Sequence, residues 1–153
     1  MLCSLAASLL AGCSADPVRV DPPPLPADLE PACRAFLDDL PPTLAEEEPA
    51  EVEPTGVLAA AYGDPAIVVT CTDAAPPEFD RFSACDQVNQ VGWFVPESQV
   101  DEPEGDVEVY ALSHSPIVRL EVPGEYRPNG VAAALAELAE PIRAHLTQIG
   151  PCL

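Results

Sequence analysis

The chain has 153 residues, 48% of them apolar and only 5% aromatic, which leaves room for one domain with a mainly aliphatic core and argues against disorder throughout. Twenty-six acidic residues stand against six basic ones, all arginine, for a formal charge of -20. Such a surface repels nucleic acid and anionic headgroups, so a nucleic-acid partner is not expected.

In chain order, residues 2–10 form a short uncharged apolar run followed at once by Ala11-Gly12-Cys13. The run is too short to cross a bilayer but suits the core of a signal peptide, and Leu10-Ala11-Gly12-Cys13 matches a lipobox, whose cysteine thiol receives a diacylglyceryl group. Residues 1–12 are therefore read as a signal peptide and Cys13 as the lipidated residue. No Lys or Arg precedes the run, so a start codon upstream of Met1 is expected. Prolines at 17, 22, 23, 24, 26 and 31 make residues 13–30 a lipidated cysteine plus a Pro-rich tether. At roughly 3.1 Å per residue it would hold a domain up to about 50 Å from the anchor.

Residues 31–153 are read as a single disulfide-stapled α+β domain. Cys33, Phe36, Leu37 and Leu40 recur at helical spacing after Pro31 and stop at Pro41-Pro42, predicting a short amphipathic helix. Residues 58–62 are apolar, Gly63-Asp64-Pro65 is a turn, and the β-branched run over 66–72 is a buried strand. Residues 85–88 and 91–95 flank Asn89-Gln90 as a hairpin, and 106–112 with 117–122 form a second, whose Val118, Leu120 and Val122 face the core. Two acidic stretches, 46–53 and 97–108, read as solvated loops; the second offers carboxylates to calcium, although their order does not fit an EF-hand. Finally Val131, Leu135, Leu138, Ile142, Leu146 and Ile149 trace one apolar stripe along a helix that Pro141 should kink or split. The expected fold is two-layer α+β: one mostly antiparallel sheet of about four to five strands with an N-terminal and a C-terminal helix packed on one face.

Once Cys3 leaves with the signal peptide and Cys13 is lipidated, Cys33, Cys71, Cys85 and Cys152 remain. There is no Cys-x-x-Cys pair, so two structural disulfides in an oxidising compartment are favoured over zinc or redox chemistry. Four cysteines allow three pairings; Cys71–Cys85 and Cys33–Cys152 are preferred because they join neighbouring strands and pin the first helix to the chain terminus.

The two histidines, His114 and His145, belong to no metal motif, and no nucleophile elbow or phosphate-cradling glycine loop occurs, so no catalytic residues, metal or cofactor are assigned. Ser113-His114-Ser115 places hydroxyls beside an imidazole, but adjacency in sequence does not make a triad. Trp93 and Arg119 are the candidate ligand-surface residues, each set against a blander role: core anchor for Trp93, surface ion pair with Glu121 and Glu108 for Arg119.

Taken in order, the lipobox, Cys33-Arg-Ala-Phe-Leu-Asp-Asp-Leu-Pro41, Tyr62-Gly-Asp-Pro-Ala-Ile-Val-Val-Thr-Cys71, Cys85, Val91-Gly-Trp-Phe94 and Cys152 resemble actinobacterial lipoproteins of the domain-of-unknown-function-3515 family. The chain departs from that pattern at Gln90, where glycine is expected, and at Tyr62, where tryptophan is common. The resemblance implies an envelope lipoprotein on the outer face of the cytoplasmic membrane and carries no activity with it. The leading functional expectation is a non-catalytic module that binds an envelope protein or cell-wall component. A cell-wall hydrolase, the alternative, requires a pocket gathering His114, Asp64, Tyr110 and Arg119. Solute or calcium capture is a third reading.

Overall fold

The computed structural model describes residues 16–80 and 82–150. The lipobox, Cys13 and Cys152 lie outside the described residues. The elements run β1 (Val18–Arg19), α1 (Glu30–Asp38), β2 (Pro49–Ala50), β3 (Val52–Glu53), β4 (Ala59–Tyr62), β5 (Ile67–Thr72), β6 (Asp86–Val88), β7 (Val91–Phe94), α2 (Glu97–Val100), β8 (Val107–Ala111), β9 (His114–Ser115), β10 (Ile117–Val122), a 3₁₀ turn at Gly124–Tyr126, α3 (Gly130–His145) and β11 (Thr147–Gln148).

Seven strands form the main sheet in the order β2-β4-β5-β10-β8-β7-β6, every pairing antiparallel. The α+β class and the antiparallel sheet are as expected, but the sheet is wider than four to five strands. The added strands are β4, built largely of alanines with little intrinsic β preference, and β2, a two-residue edge inside the acidic stretch read as a loop. Pairing with β5, the β-branched Ile-Val-Val-Thr-Cys-Thr strand, decides the conformation of Ala59 to Ala61.

One face of the sheet carries the core. Ile67, Val69 and Cys71 of β5, Val107, Val109 and Ala111 of β8, and Val118, Leu120 and Val122 of β10 alternate inward and meet Phe36 of α1 and Leu135, Leu138 and Ile142 of α3 in one buried cluster. The helix α3 lies across this face while α1 packs chiefly on α3. It runs through Pro141 without splitting, with the proline ring buried, and ends at His145. Leu146 is extended and buried, and the chain then pairs as β11 with β9, which leaves Ile149 62% exposed rather than on the apolar stripe. On the opposite face, Phe94, Tyr110, Leu112 and Ile117 form a smaller cluster capped by Phe79, whose ring meets Phe94 edge-on at 5.2 Å.

The disulfide joins Cys33 to Cys71, with 6.2 Å between their Cα atoms, which overturns both preferred pairings. Strand alternation is the reason: Cys71 shares its face with Val69 and points at α1, whereas Cys85 packs against the smaller cluster on the other side. Cys85 is disulfide-bonded as well. The Pro-rich segment also differs from a free spacer, because β1 pairs in parallel with β3 and Val20 is buried. Among the described residues, no helix is long and apolar enough to cross a membrane.

Candidate functional site

The polar centre of the molecule lies on the sheet face that α1 and α3 leave uncovered. Inward positions on β8 and β10 are apolar, so the residues between them, Glu108, Tyr110, Arg119 and Glu121, project outward, and the register sets Arg119 opposite Tyr110 and Glu121 opposite Glu108. Arg119 donates from Nη2 to Glu108 Oε1 at 2.6 Å and pairs through Nη1 with Glu121 Oε1 at 3.1 Å. The Tyr110 hydroxyl donates to the other Glu108 oxygen at 2.5 Å. The Arg119 side chain is 23% exposed, so this is a half-buried network rather than a loose surface pair.

Its two carboxyl groups are held differently. Burial alone would raise the Glu108 carboxyl, but hydrogen bonds from Arg119 and Tyr110 outweigh it and hold Glu108 below the usual range. Glu121 is raised, first by burial and then by the charges of Glu108 and Asp106, against the pull of Arg119. Burial and the Glu108 carboxylate push the Tyr110 phenol up to about 12, so it stays a donor at neutral pH. A cleft of about 350 Å³ opens alongside, lined by Gln99, Asp106, Glu108 and Glu121 against Val68 and Pro123. Donor and acceptor groups over an apolar wall suit recognition of a polar ligand or a partner's side chains.

The acidic loop bordering this cleft keeps its Asp101, Glu102 and Glu104 side chains exposed, as expected, while its backbone is clamped. Arg127 donates through Nη1 to the carbonyls of Glu102 and Gly105 and through Nη2 to that of Gln99 at 2.7 Å. The Gln99 side chain accepts from the Glu108 backbone N–H at 2.7 Å, and Asp106 accepts from the Gly124 N–H at 2.9 Å. A Cβ at Gly124 would stand 2.1 Å from the Glu104 carbonyl oxygen, so only glycine admits this approach. Of the loop carboxylates offered to calcium, Asp106 and Glu108 are engaged in hydrogen bonds, and among the described residues no three His, Cys, Asp or Glu side chains are grouped to hold a metal ion. Sequence reading missed Arg127, because a guanidinium that grips backbone carbonyls 22 to 28 residues away leaves no local pattern.

Of the residues singled out from sequence, Arg119 and Tyr110 come together, with Arg119 paired to Glu108 and Glu121 as expected. Trp93 does not join them: it is 1% exposed in the core and presents no ligand surface. His114 and Asp64 sit at opposite ends of the sheet, one just before β10 begins and the other in the turn leading into β5, which runs antiparallel to it. That separation removes the pocket the hydrolase reading required. Ser113 Oγ does lie 2.8 Å from His114 Nδ1 and accepts the Gly92 N–H, but both residues are 2% exposed, which makes the pair an interior tie between β7 and β9. His145 instead joins the end of α3 to Asp39 beyond α1, at 2.9 Å.

A family model described as a protein of unknown function, DUF3515, matches residues 1–150. The chain belongs to the DUF3515 family. No curated protein and no solved structure matches it. The DUF3515 match spans the main sheet, both long helices and the Arg119 network, so the polar face is part of the family domain and not an appendage to it.

Proposed function

We propose that this DUF3515 protein is an exported lipoprotein, anchored through Cys13 on the outer face of the cytoplasmic membrane, whose domain is a non-catalytic module binding an envelope protein or cell-wall component. The observation that carries the binding role is Arg119: a guanidinium held half-buried between Glu108 and Glu121 beside the 350 Å³ cleft, on the sheet face opposite α1 and α3. Export is supported by the buried Cys33–Cys71 disulfide and the bonded Cys85, which belong in an oxidising compartment, and by the lipobox at residues 10–13.

Metabolic labelling with an alkyne fatty acid tests the anchor. Label on the wild type and none on Cys13→Ala is the expected result, and an unlabelled wild type with reduced cysteines would overturn the reading. The binding role is tested by crosslinking and pull-down from envelopes. Arg119→Ala should lose the captured species while remaining folded, and an identical catch from both proteins would remove the Arg119 face as the binding surface.

A further inference from the structure

Between the lipobox and the sheet the chain is far shorter than its proline content implies. The Val18 N–H donates to the Glu51 carbonyl at 2.7 Å, the Val20 N–H to the Glu53 carbonyl at 2.9 Å, and Arg19 pairs with Glu53 at 3.3 Å, while Val20 is buried. The chain is therefore fastened to the domain at Val18. Only five peptide steps separate Val18 from Cys13, and at no more than about 3.6 Å each they reach about 18 Å.

We infer that β1, paired with β3 in a two-stranded sheet that follows directly on β2 in the chain, is a clamp that holds the domain close to the bilayer by the β2 edge of its main sheet. This rests on lipidation of Cys13 as proposed above. The strand order places β6 at the opposite edge, six spacings or roughly 29 Å away, so the two edges stand at different heights. Attraction to lipid is not what holds the near edge down: Glu53 pairs with Arg19, Asp16 and Asp21 flank β1 in the chain and Glu51 lies on the segment β1 bonds to, and an anionic leaflet repels these carboxylates. The strand pairing supplies the restraint and the carboxylates oppose it, which sets a short, taut stand-off. The Pro-rich residues 21–31 lie on the domain side of the clamp and add nothing to the reach.

The test uses lipidated full-length protein on vesicles of zwitterionic and anionic lipid, with a fluorescent amino acid encoded at position 51 or 87 and acceptor dye on the headgroups. Energy transfer should be strong from 51 and weak from 87. V18P/V20P removes both backbone donors and moves the first packed contact to Leu25, so the maximal stand-off at the same roughly 3.6 Å per step grows more than twofold, from about 18 Å to about 43 Å, and transfer from 51 falls. A flexible Gly-Ser insertion after Ser14 should lower it equally while leaving β1 in place, which keeps the test independent of how well the proline variant folds. Equal transfer from 51 and 87, unmoved by the insertion, would overturn the clamp while leaving the anchor standing. Failure of the wild type to stay on vesicles, or retention of Cys13→Ala on them, would instead overturn the lipoprotein reading.

Discussion

Gln90 occupies the second central position of the β6–β7 turn with φ of 73°, beside Asn89 at 48°, so both residues take the left-handed backbone that a two-residue hairpin turn demands. Asparagine tolerates that conformation; a residue with a longer side chain costs about 1 kcal/mol there, and glycine costs nothing of the kind. Gln90→Gly should therefore raise stability by about 1 kcal/mol in urea unfolding, and an unchanged midpoint would mean that the turn is unstrained. Tyr62 shows the reverse case. Its hydroxyl donates to the Pro41 carbonyl at 2.9 Å and fastens the chain just beyond α1 to the sheet. Tyr62→Phe should cost about 1 kcal/mol with no change in fold. Single residues were legible where their effect is local, as at Asn89, or where alternation dictates a face, as at Arg119 and Val118. Arg127 and Gln99 were not, since their partners are backbone atoms brought near only by the finished fold.

At the scale of elements, alternation and helical spacing predicted α1, β5, the β8–β10 hairpin and most of α3, because each carries enough apolar residues to declare the face it buries, while the β6–β7 hairpin was legible from its Asn89-Gln90 turn. What failed was whatever a neighbour imposes: the alanine strand β4, the two-residue edge β2, and β1, whose polar and proline-rich surroundings hide its pairing with β3. The Cys33–Cys71 bond was within reach of the same reasoning, since Cys33 shares the apolar stripe of α1 with Phe36 and Cys71 shares the inner face of β5 with Ile67 and Val69. It closes a span of 38 residues and ties α1 to the centre of the sheet, so the chain-entropy model assigns it about 4 kcal/mol. Cys33→Ala/Cys71→Ala should lose stability of that order, much of the total for a small domain, and a loss below about 1 kcal/mol would show that the α1–α3 contact holds without it. Peptide mapping of the oxidised protein should return the Cys33–Cys71 pair and link Cys85 to Cys152, the cysteine left over if Cys3 and Cys13 are processed as proposed.

For the whole molecule, net charge of -20 and a sheet face lined with carboxylates make stability a question of pH, and the groups do not all pull the same way. Glu108 is held low, so its contribution is present above the ordinary carboxylate value of about 4.3 and is lost as pH falls. Glu121 is raised, so its contribution is present below that value and is lost as pH rises through its folded value. These two neighbours oppose each other at the acidic end. His114 acts in a different window. Burial lowers it and the Arg143 charge on α3 lowers it further, so the folded protein binds its proton more weakly than the unfolded chain does. Its stabilisation is therefore complete above about pH 6.5 and drains away as pH falls below that, with a slope approaching about 1.4 kcal/mol per pH unit for one proton. Denaturant unfolding between pH 7 and pH 5 should show that decline in the wild type. His114→Gln will be less stable at pH 7, because it disturbs the Ser113 tie, but its stability should vary less across the same interval. The difference in slope isolates His114 from every other titrating group. Parallel profiles for the two proteins would mean that the His114 ring is reached by water and protonates as freely in the fold as out of it.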